Sequence, residues 1–340
     1  MKKSLLALAA LTAFAGAASA QSSVTLFGIV DLSAVSSKNG SVSRKDLTNN
    51  QLNSNRLGFR GVEDLGGGLR AGFWIEGAMS NDDGNAAGQT WQRRSTVSLM
   101  GGFGELRLGR DYTPSFWNYT IFDPFGTNGP GSMLNIVSTL GSGAGTLVRA
   151  NNTVGYFLPA MGGVYGQVQV AAGEGVAGNK YTGGRIGFAG GPVNIAVALG
   201  KTPKDGGLTD DYTDKNVGGS FRMGAFTLMA QYSMRDFANR DQKTTMVGGT
   251  LAFGASTLKA SLTNSKGAQG SSARDFDAKQ VAFGYQYDMS KRTALYGVYS
   301  TLDNDGVAAT GSLFSIGTGA AMTVGGEKSS GFAIGVRHSF

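Results

Sequence analysis

Imidazole and thiol side chains, the usual catalytic bases, strong nucleophiles and soft metal ligands, are scarce in this chain. It contains a single histidine, His338, and no cysteine. A Ser-His-acid arrangement needs a base beside its nucleophile, and a histidine or thiolate metal centre needs several ligands. The composition therefore argues against a hydrolase of the Ser-His-acid type and against a metalloenzyme. We expect no catalytic residue, no cofactor and no bound metal.

Arginines, by contrast, recur at alternating positions inside short apolar segments. Leu57 and Phe59 share one face of a predicted strand, so Arg56 and Arg60 share the other face. In the fourth predicted strand, Val97 and Leu99 share one face, so Arg94 lies on the other face. These arginines are predicted to line a polar interior.

The elements that must position these arginines are short strands with one apolar and one polar face. In a membrane barrel the apolar face meets lipid and the polar face lines a water-filled lumen. We expect sixteen strands, which is wide enough for an aqueous channel, joined alternately by short turns and long loops. The predicted strands lie near residues 24–37, 55–64, 69–80, 93–101, 104–112, 153–158, 164–171, 181–189, 193–199, 215–223, 226–235, 242–253, 256–265, 278–288, 293–301 and 331–340.

The first twenty residues have the pattern of an export signal. Lys2 and Lys3 precede an apolar stretch, and Ala18-Ser19-Ala20 forms a small-residue cleavage site before Gln21. We expect residues 1–20 to be removed and residues 21–340 to form one barrel domain; an inner-membrane anchor is the alternative. No later apolar run approaches the ~20 residues of a membrane-spanning helix.

Composition agrees with an exported barrel. The chain has 55 glycines, which suit tight turns and crowded barrel walls. Its formal charge of +7 comes from basic residues scattered along the chain. Nucleic-acid-binding proteins gather such residues into a patch or stripe, so we expect no nucleic-acid partner.

Two longer motifs connect the chain to a known family. Residues 54–73 read SNRLGFRGVEDLGGGLRAGF, and residues 103–114 read FGELRLGRDYTP. With the start at 24–28 and the terminal Phe340, the chain resembles the general porins of Gram-negative outer membranes. The resemblance implies a homotrimer of sixteen-stranded antiparallel barrels in the outer membrane, surrounded by lipid and lipopolysaccharide, each with its third loop folded inward.

The third loop corresponds to residues 112–149. It is rich in apolar residues, and such content argues for packing against another surface. The resemblance supplies the inner barrel wall as that surface, with a short helical turn over 133–140. An external flap or a trimer contact is the alternative. Asp123 is the only acidic residue between Tyr112 and Arg149, whereas cation-preferring porins carry more acidic third loops.

The predicted pore constriction consists of Arg56, Arg94 and Arg149, faced by Asp123, with Arg60 as a further lumen-lining residue. Arg56 and Arg94 match positions where the family places its constriction arginines. A charged ring at the narrow point selects the sign of the ion. The alternative is that these arginines only solvate a wet wall. The family resemblance also marks Phe340 as a signal for barrel assembly.

The predicted function is passive diffusion of small hydrophilic solutes across the outer membrane, with a preference for anions. Three alternatives remain open from the sequence. One is a substrate-specific channel with a binding site at the third loop, and another is a structural or adhesive barrel plugged by its own loop. The third is an outer-membrane enzyme, which the single histidine disfavours.

Overall fold

The computed structural model describes residues 23–85, 90–268, 275–305, 314–316 and 326–340. The predicted signal peptide lies outside these residues. The described chain forms strands β1 (Ser23–Asn39), β2 (Val42–Asn49), β3 (Arg56–Gly66), β4 (Leu69–Ala78), β5 (Arg94–Gly101), β6 (Gly104–Tyr112), β7 (Arg149–Phe157), β8 (Val164–Ala171), β9 (Tyr181–Gly190), β10 (Val193–Thr202), β11 (Tyr212–Met223), β12 (Phe226–Phe237), β13 (Arg240–Phe253), β14 (Ser256–Ala268), β15 (Asp275–Asp288), β16 (Thr293–Asp305) and β17 (Ser329–Ser339). Helix α1 (Pro114–Ile121) and 3-10 turns at Met133–Ile136 and Lys204–Gly206 complete the regular structure of this part of the chain.

The strands close into one antiparallel barrel. From β3 onward each strand pairs with the next in the chain, and β17 closes the circle by pairing with β1 from Ile29↔Ser339 to Asn39↔Ser329. β2 pairs with one half of β1 and β3 with the other half, so these two strands share one position in the wall. The barrel therefore has sixteen positions, and the predicted sixteen-stranded fold is confirmed.

The prediction missed β2, which it placed in the first long loop. This strand reads VSRKDLTN and carries polar residues on both faces, so it shows little alternation. It forms because it pairs with the extended end of β1, from Leu32↔Asn49 to Asn39↔Val42. The pairing partner, rather than the pattern within β2, determines this strand.

The two faces of the wall differ as strand parity requires. In β14, Leu258 and Leu262 are exposed by 43% and 40% on the outer face, while Ser261 and Thr263 are buried on the inner face. This arrangement is the apolar-out, polar-in alternation of a transmembrane barrel. Within the described residues, no helix is long and apolar enough to cross a membrane.

The third loop joins β6 to β7 and lies inside the barrel. Helix α1 packs against β8 to β11, and the turn at Met133–Ile136 contacts β14 and β15. The loop therefore crosses the lumen to the far wall, and the predicted inward fold is confirmed. Pro114 fits the first turn of α1 because that position needs no amide hydrogen. Helical structure was predicted only over 133–140, so α1 is an addition to the prediction.

Glycines on the inner wall make room for the aromatic rings of this loop. A Cβ atom on Gly218 of β11 would lie 2.3 Å from the ring of Phe122. A Cβ atom on Gly284 of β15 would lie 2.8 Å from the ring of Phe125. Both rings are almost fully buried. The loop is thus seated against the wall where side chains are absent.

Phe340 extends the closing pairing of β17 with β1 by one residue. Its amide donates to the carbonyl of Gly28 at 3.1 Å, and its carbonyl accepts from the amide of Gly28 at 3.0 Å. The Phe340 ring occupies the space that a side chain at position 28 would need. The terminal residue therefore completes the pairing between the last and the first strand.

We expect deletion of Phe340 to lower the amount of assembled protein in the outer membrane, because both backbone hydrogen bonds and the ring contact are lost. Molecules that do assemble should keep their single-channel conductance, because the Phe340 contacts given above are with Gly28 in the wall and not with the arginines or the third loop. Heat-modifiable protein in outer-membrane fractions measures the yield. An unchanged yield would show that the residue is not needed for assembly.

Candidate functional site

A connected row of polar contacts joins three arginines on the inner wall. The carboxylate of Glu76 in β4 lies 3.3 Å from Arg56 Nη1 and 2.6 Å from Arg93 Nε. The hydroxyl of Tyr112 accepts from Arg93 Nη2 at 3.2 Å and from Arg149 Nη2 at 2.8 Å. We call these five residues the arginine row. It runs across β3, β4 and the ends of β6 and β7.

Arg149 makes two contacts besides its bond to the Tyr112 hydroxyl. Its Nε donates to the backbone carbonyl of Arg93 at 2.7 Å, and its guanidinium carbon lies 4.4 Å from the ring centre of Tyr112. Tyr112 in turn stacks on Phe116 of α1, with ring centres 4.9 Å apart. The position of this cation is therefore tied to the base of the third loop.

A second group of arginines surrounds Trp74 of β4. The ring centre of Trp74 is 4.5 Å from the guanidinium carbon of Arg94 and 5.0 Å from that of Arg60. Arg94 Nε also donates to Thr96 Oγ1 at 3.1 Å and lies 3.9 Å from Asp111 Oδ1. Cations close to a tryptophan face are attracted by the ring quadrupole. Trp74 therefore helps to orient both cations.

Arg107 belongs to the same group and is paired more completely. Its Nε lies 2.8 Å from Glu105 Oε1, and its Nη1 lies 2.6 Å from Asp111 Oδ2. Its guanidinium carbon is also 3.9 Å from the ring centre of Phe157. We call Arg60, Arg94 and Arg107 the lower arginine group.

Asp123 lies inside the fold of the third loop. Its carboxylate accepts from the amides of Phe125 at 2.9 Å, Thr127 at 3.1 Å and Met133 at 3.1 Å. The residue is only 4% exposed. Burial raises the pKa of the Asp123 carboxyl to about 6, although the three amides act to lower it. Asp123 thus organises the loop and does not present its charge freely to the lumen.

Positive charge dominates the wall opposite the third loop. The two arginine groups contain six guanidinium groups and are accompanied by three carboxylates, which leaves an excess of three positive charges. The side chains counted are Arg56, Arg60, Arg93, Arg94, Arg107, Arg149, Glu76, Glu105 and Asp111. The loop itself has no acidic residue other than Asp123.

The predicted constriction arginines fall into two neighbouring groups of contacts. Arg56 and Arg149 lie in the arginine row. Arg94 and Arg60 contact Trp74 in the lower arginine group, and the Arg94 backbone pairs with Glu76 of the row. Asp123 is enclosed by loop amides. The roles of these residues in conduction stay predictions.

Arg93, which links Arg56 to Arg149, was not among the predicted residues. Alternation within a strand from 93 to 101 would put Arg93 on the face opposite Arg94, but β5 begins only at Arg94, so strict alternation does not apply one residue earlier. The Arg93 amide donates to the carbonyl of Glu76 at 3.0 Å, and the side chain turns to the same residue's carboxylate. The inward position of Glu76 could have been predicted by alternation, because Glu76 lies two residues after Trp74 in β4 and therefore shares its face.

Among the residues that the structure describes, no group of three or more histidine, cysteine, aspartate or glutamate side chains is placed to hold a metal ion. The inner wall offers guanidinium groups, carboxylates paired with them, hydroxyls and amides. Such a surface can attract and orient hydrated anions.

Residues 7–307 match the family model described as Gram-negative porin. The chain belongs to this family. Outer membrane porin protein 32 of Delftia acidovorans is 39% identical over 359 aligned residues that cover both chains completely. Major outer membrane protein P.IB of Neisseria meningitidis serogroup A is 30% identical over 315 residues, covering 86% of this chain and 91% of the relative.

A solved structure agrees with the barrel. The anion-selective porin from Comamonas acidovorans superposes with a TM-score of 0.84 at 33% identity, covering 94% of this porin and all of that chain. The predicted porin family and outer-membrane location are therefore confirmed. The family consists of channels rather than enzymes.

Proposed function

We propose that this porin is a water-filled diffusion channel that prefers small anions over cations of similar size. One observation carries the proposal. The arginine row faces a third loop whose single carboxylate is buried and bonded to backbone amides. A solute passing between them meets fixed guanidinium groups on one side and no freely exposed loop acid on the other.

The size of the effect follows from the charges in the row. Three guanidinium groups and the Glu76 carboxylate leave two positive charges. At ~8 Å in bulk water, two unit charges stabilise a monovalent anion by about 1 kcal/mol, a several-fold enrichment. The preference should weaken as salt rises, because the Debye length falls from ~10 Å at 0.1 M to ~3 Å at 1 M.

The lower arginine group would extend the positive potential toward the short-turn side. Arg94 therefore contributes to anion preference from beside the narrow point, together with Arg60. Asp123 contributes by holding the loop in shape. In this proposal Arg93 takes the central place between Arg56 and Arg149.

A planar-bilayer recording of the purified porin in a salt gradient tests the function. We expect ohmic conductance steps and a reversal potential of the sign given by anion preference. No conductance would favour a plugged barrel, and block by one solute would favour a substrate-specific channel. A reversal potential of cation sign would contradict the assignment of the arginine row.

We further propose that the porin assembles as a homotrimer in a bilayer of outer-membrane lipid and lipopolysaccharide. The family resemblance supports the trimer, and the exposed apolar residues of the outer wall support the lipid contact. Gel migration of unboiled samples tests the assembly. Migration as a monomer before and after heating would count against the trimer.

A further inference from the structure

The wall of the barrel is interrupted just before Arg56. β2 ends at Asn49 and β3 begins at Arg56, and both strands pair with β1. The six residues between them, 50–55, leave the wall and enter the lumen; we call them the inward segment. Leu52 of this segment is buried with Phe125 from the third loop and with Tyr296 and Val298 of β16.

Asp31 of β1 holds the inward segment. Its Oδ2 atom accepts from the amides of Leu52 at 2.8 Å and Asn53 at 2.5 Å, and its Oδ1 atom accepts from the hydroxyl of Tyr296. The Asp31 amide donates to Asn55 Oδ1 at 2.5 Å. The residue is fully buried. A buried carboxylate with three donors fixes its partners more firmly than a neutral acceptor does.

The inward segment contacts both sides of the proposed constriction. The carbonyl of Ser54 accepts from Arg56 Nε at 2.9 Å, and the Ser54 hydroxyl donates to Asn128 Oδ1 in the third loop at 2.8 Å. Gly129 in the loop lies so close that a Cβ atom there would be 2.1 Å from the carbonyl oxygen of Gln51. One short segment therefore links a row arginine to the tip of the third loop.

We propose that Asp31 is a positioning residue for ion selection, acting through the inward segment to hold Arg56 against the third loop. The inference rests on the proposed anion preference. Asp31 is buried behind the segment, so its influence on ions passes through the groups that it holds.

The sign of the effect separates positioning from simple electrostatics. If Asp31 acted only as a negative charge near the pore, replacing it with asparagine would increase anion preference. If it positions Arg56, the same replacement loosens the segment, frees the Arg56 guanidinium from Ser54 and widens the opening. Anion preference then decreases, although a negative charge has been removed.

The first test is the reversal potential of the Asp31→Asn porin in a salt gradient, recorded on the full assembled protein. We expect a shift toward zero compared with the wild type. A shift to stronger anion preference, or no shift, would overturn the proposal. A wild-type porin without anion preference would instead contradict the proposed function, and the two failures are therefore distinct.

A double-mutant cycle tests whether the effect passes through Arg56. In an Arg56→Gln background, Asp31→Asn should change the reversal potential little further, because the positioned group is absent. Asp214→Asn is the matched control. Asp214 of β11 is also buried, but it accepts from Tyr119 of α1 at 2.7 Å and lies 3.7 Å from Arg235 of β12, so it holds the third loop from the opposite wall and not through the inward segment. Shifts that persist fully in the Arg56→Gln background would indicate general loosening and reject the coupling.

Two milder variants keep the test informative if Asp31→Asn does not assemble. Tyr296→Phe removes one of the three donors to Asp31 and should shift the reversal potential in the same direction by a smaller amount. Ser54→Ala removes the bond to Asn128 but keeps the carbonyl that holds Arg56. It should change conductance more than ion preference. Wild-type behaviour of both variants would refute the role of the inward segment.

Discussion

Replacing Arg56 and Arg149 with glutamate is expected to change the sign of the reversal potential in a salt gradient. The arginine row carries three guanidinium groups and one carboxylate, a balance of two positive charges. Two arginine-to-glutamate changes shift this balance by four charges, to two negative charges. Because the Debye length is ~10 Å at 0.1 M salt, the new field should extend from the row into the lumen.

The matched control places the same substitutions far from the row. Lys201 at the end of β10 pairs with Asp211 at 2.6 Å, and Lys204 lies in the following turn. Lys201→Glu with Lys204→Glu also changes the charge by four but should shift the reversal potential only slightly. If both double variants shift it equally, ion preference comes from the diffuse field of the channel mouth.

Excision of the third loop should give the largest rise in conductance. The amide of Thr113 already donates to the carbonyl of Val148 at 3.1 Å, so the ends of the loop meet at the wall. Replacing residues 115–146 by a short glycine linker should keep the strands paired and open the lumen. We expect a several-fold higher single-channel conductance and a weak ion preference, since ions then pass far from the arginines.

A substitution in the wall should produce the opposite change. Gly218→Val would place a side chain where the Phe122 ring now lies, because even a Cβ atom would approach that ring to 2.3 Å. The loop must then move into the lumen, and conductance should fall while the strand gains a favourable β-former. An unchanged conductance in both variants would show that the third loop does not set the pore size.

Strand parity predicted most of the wall because each strand must satisfy lipid on one side and water on the other. The inner positions of Arg56 and Arg60 followed from the outer positions of Leu57 and Phe59. This rule needs only the strand itself. It holds wherever a strand is long and has two distinct environments, and sixteen strands were located in this way.

The parts that were missed depend on contacts between distant segments. Arg93 joins the arginine row because its backbone pairs with Glu76 just outside β5. The inward segment depends on the Asp31 carboxylate, which lies in another strand. The place of Asp123 at the pore constriction stays a prediction, but the three amide donors that hold its carboxylate come from turns that the sequence does not reveal. None of these contacts has a periodic signature.

The glycines beneath Phe122 and Phe125 have a consequence for how this channel can diversify. These glycines lie on β11 and β15, across the lumen from the arginines. Substitutions there would act on pore width, whereas substitutions at the arginines would act on charge. A change in side-chain volume at position 218 or 284 is expected to move the loop while every arginine of the opposite wall stays in the sequence. Pore width can therefore change by substitutions at uncharged positions, and a population of such porins can explore larger or smaller solutes while keeping one sign of charge.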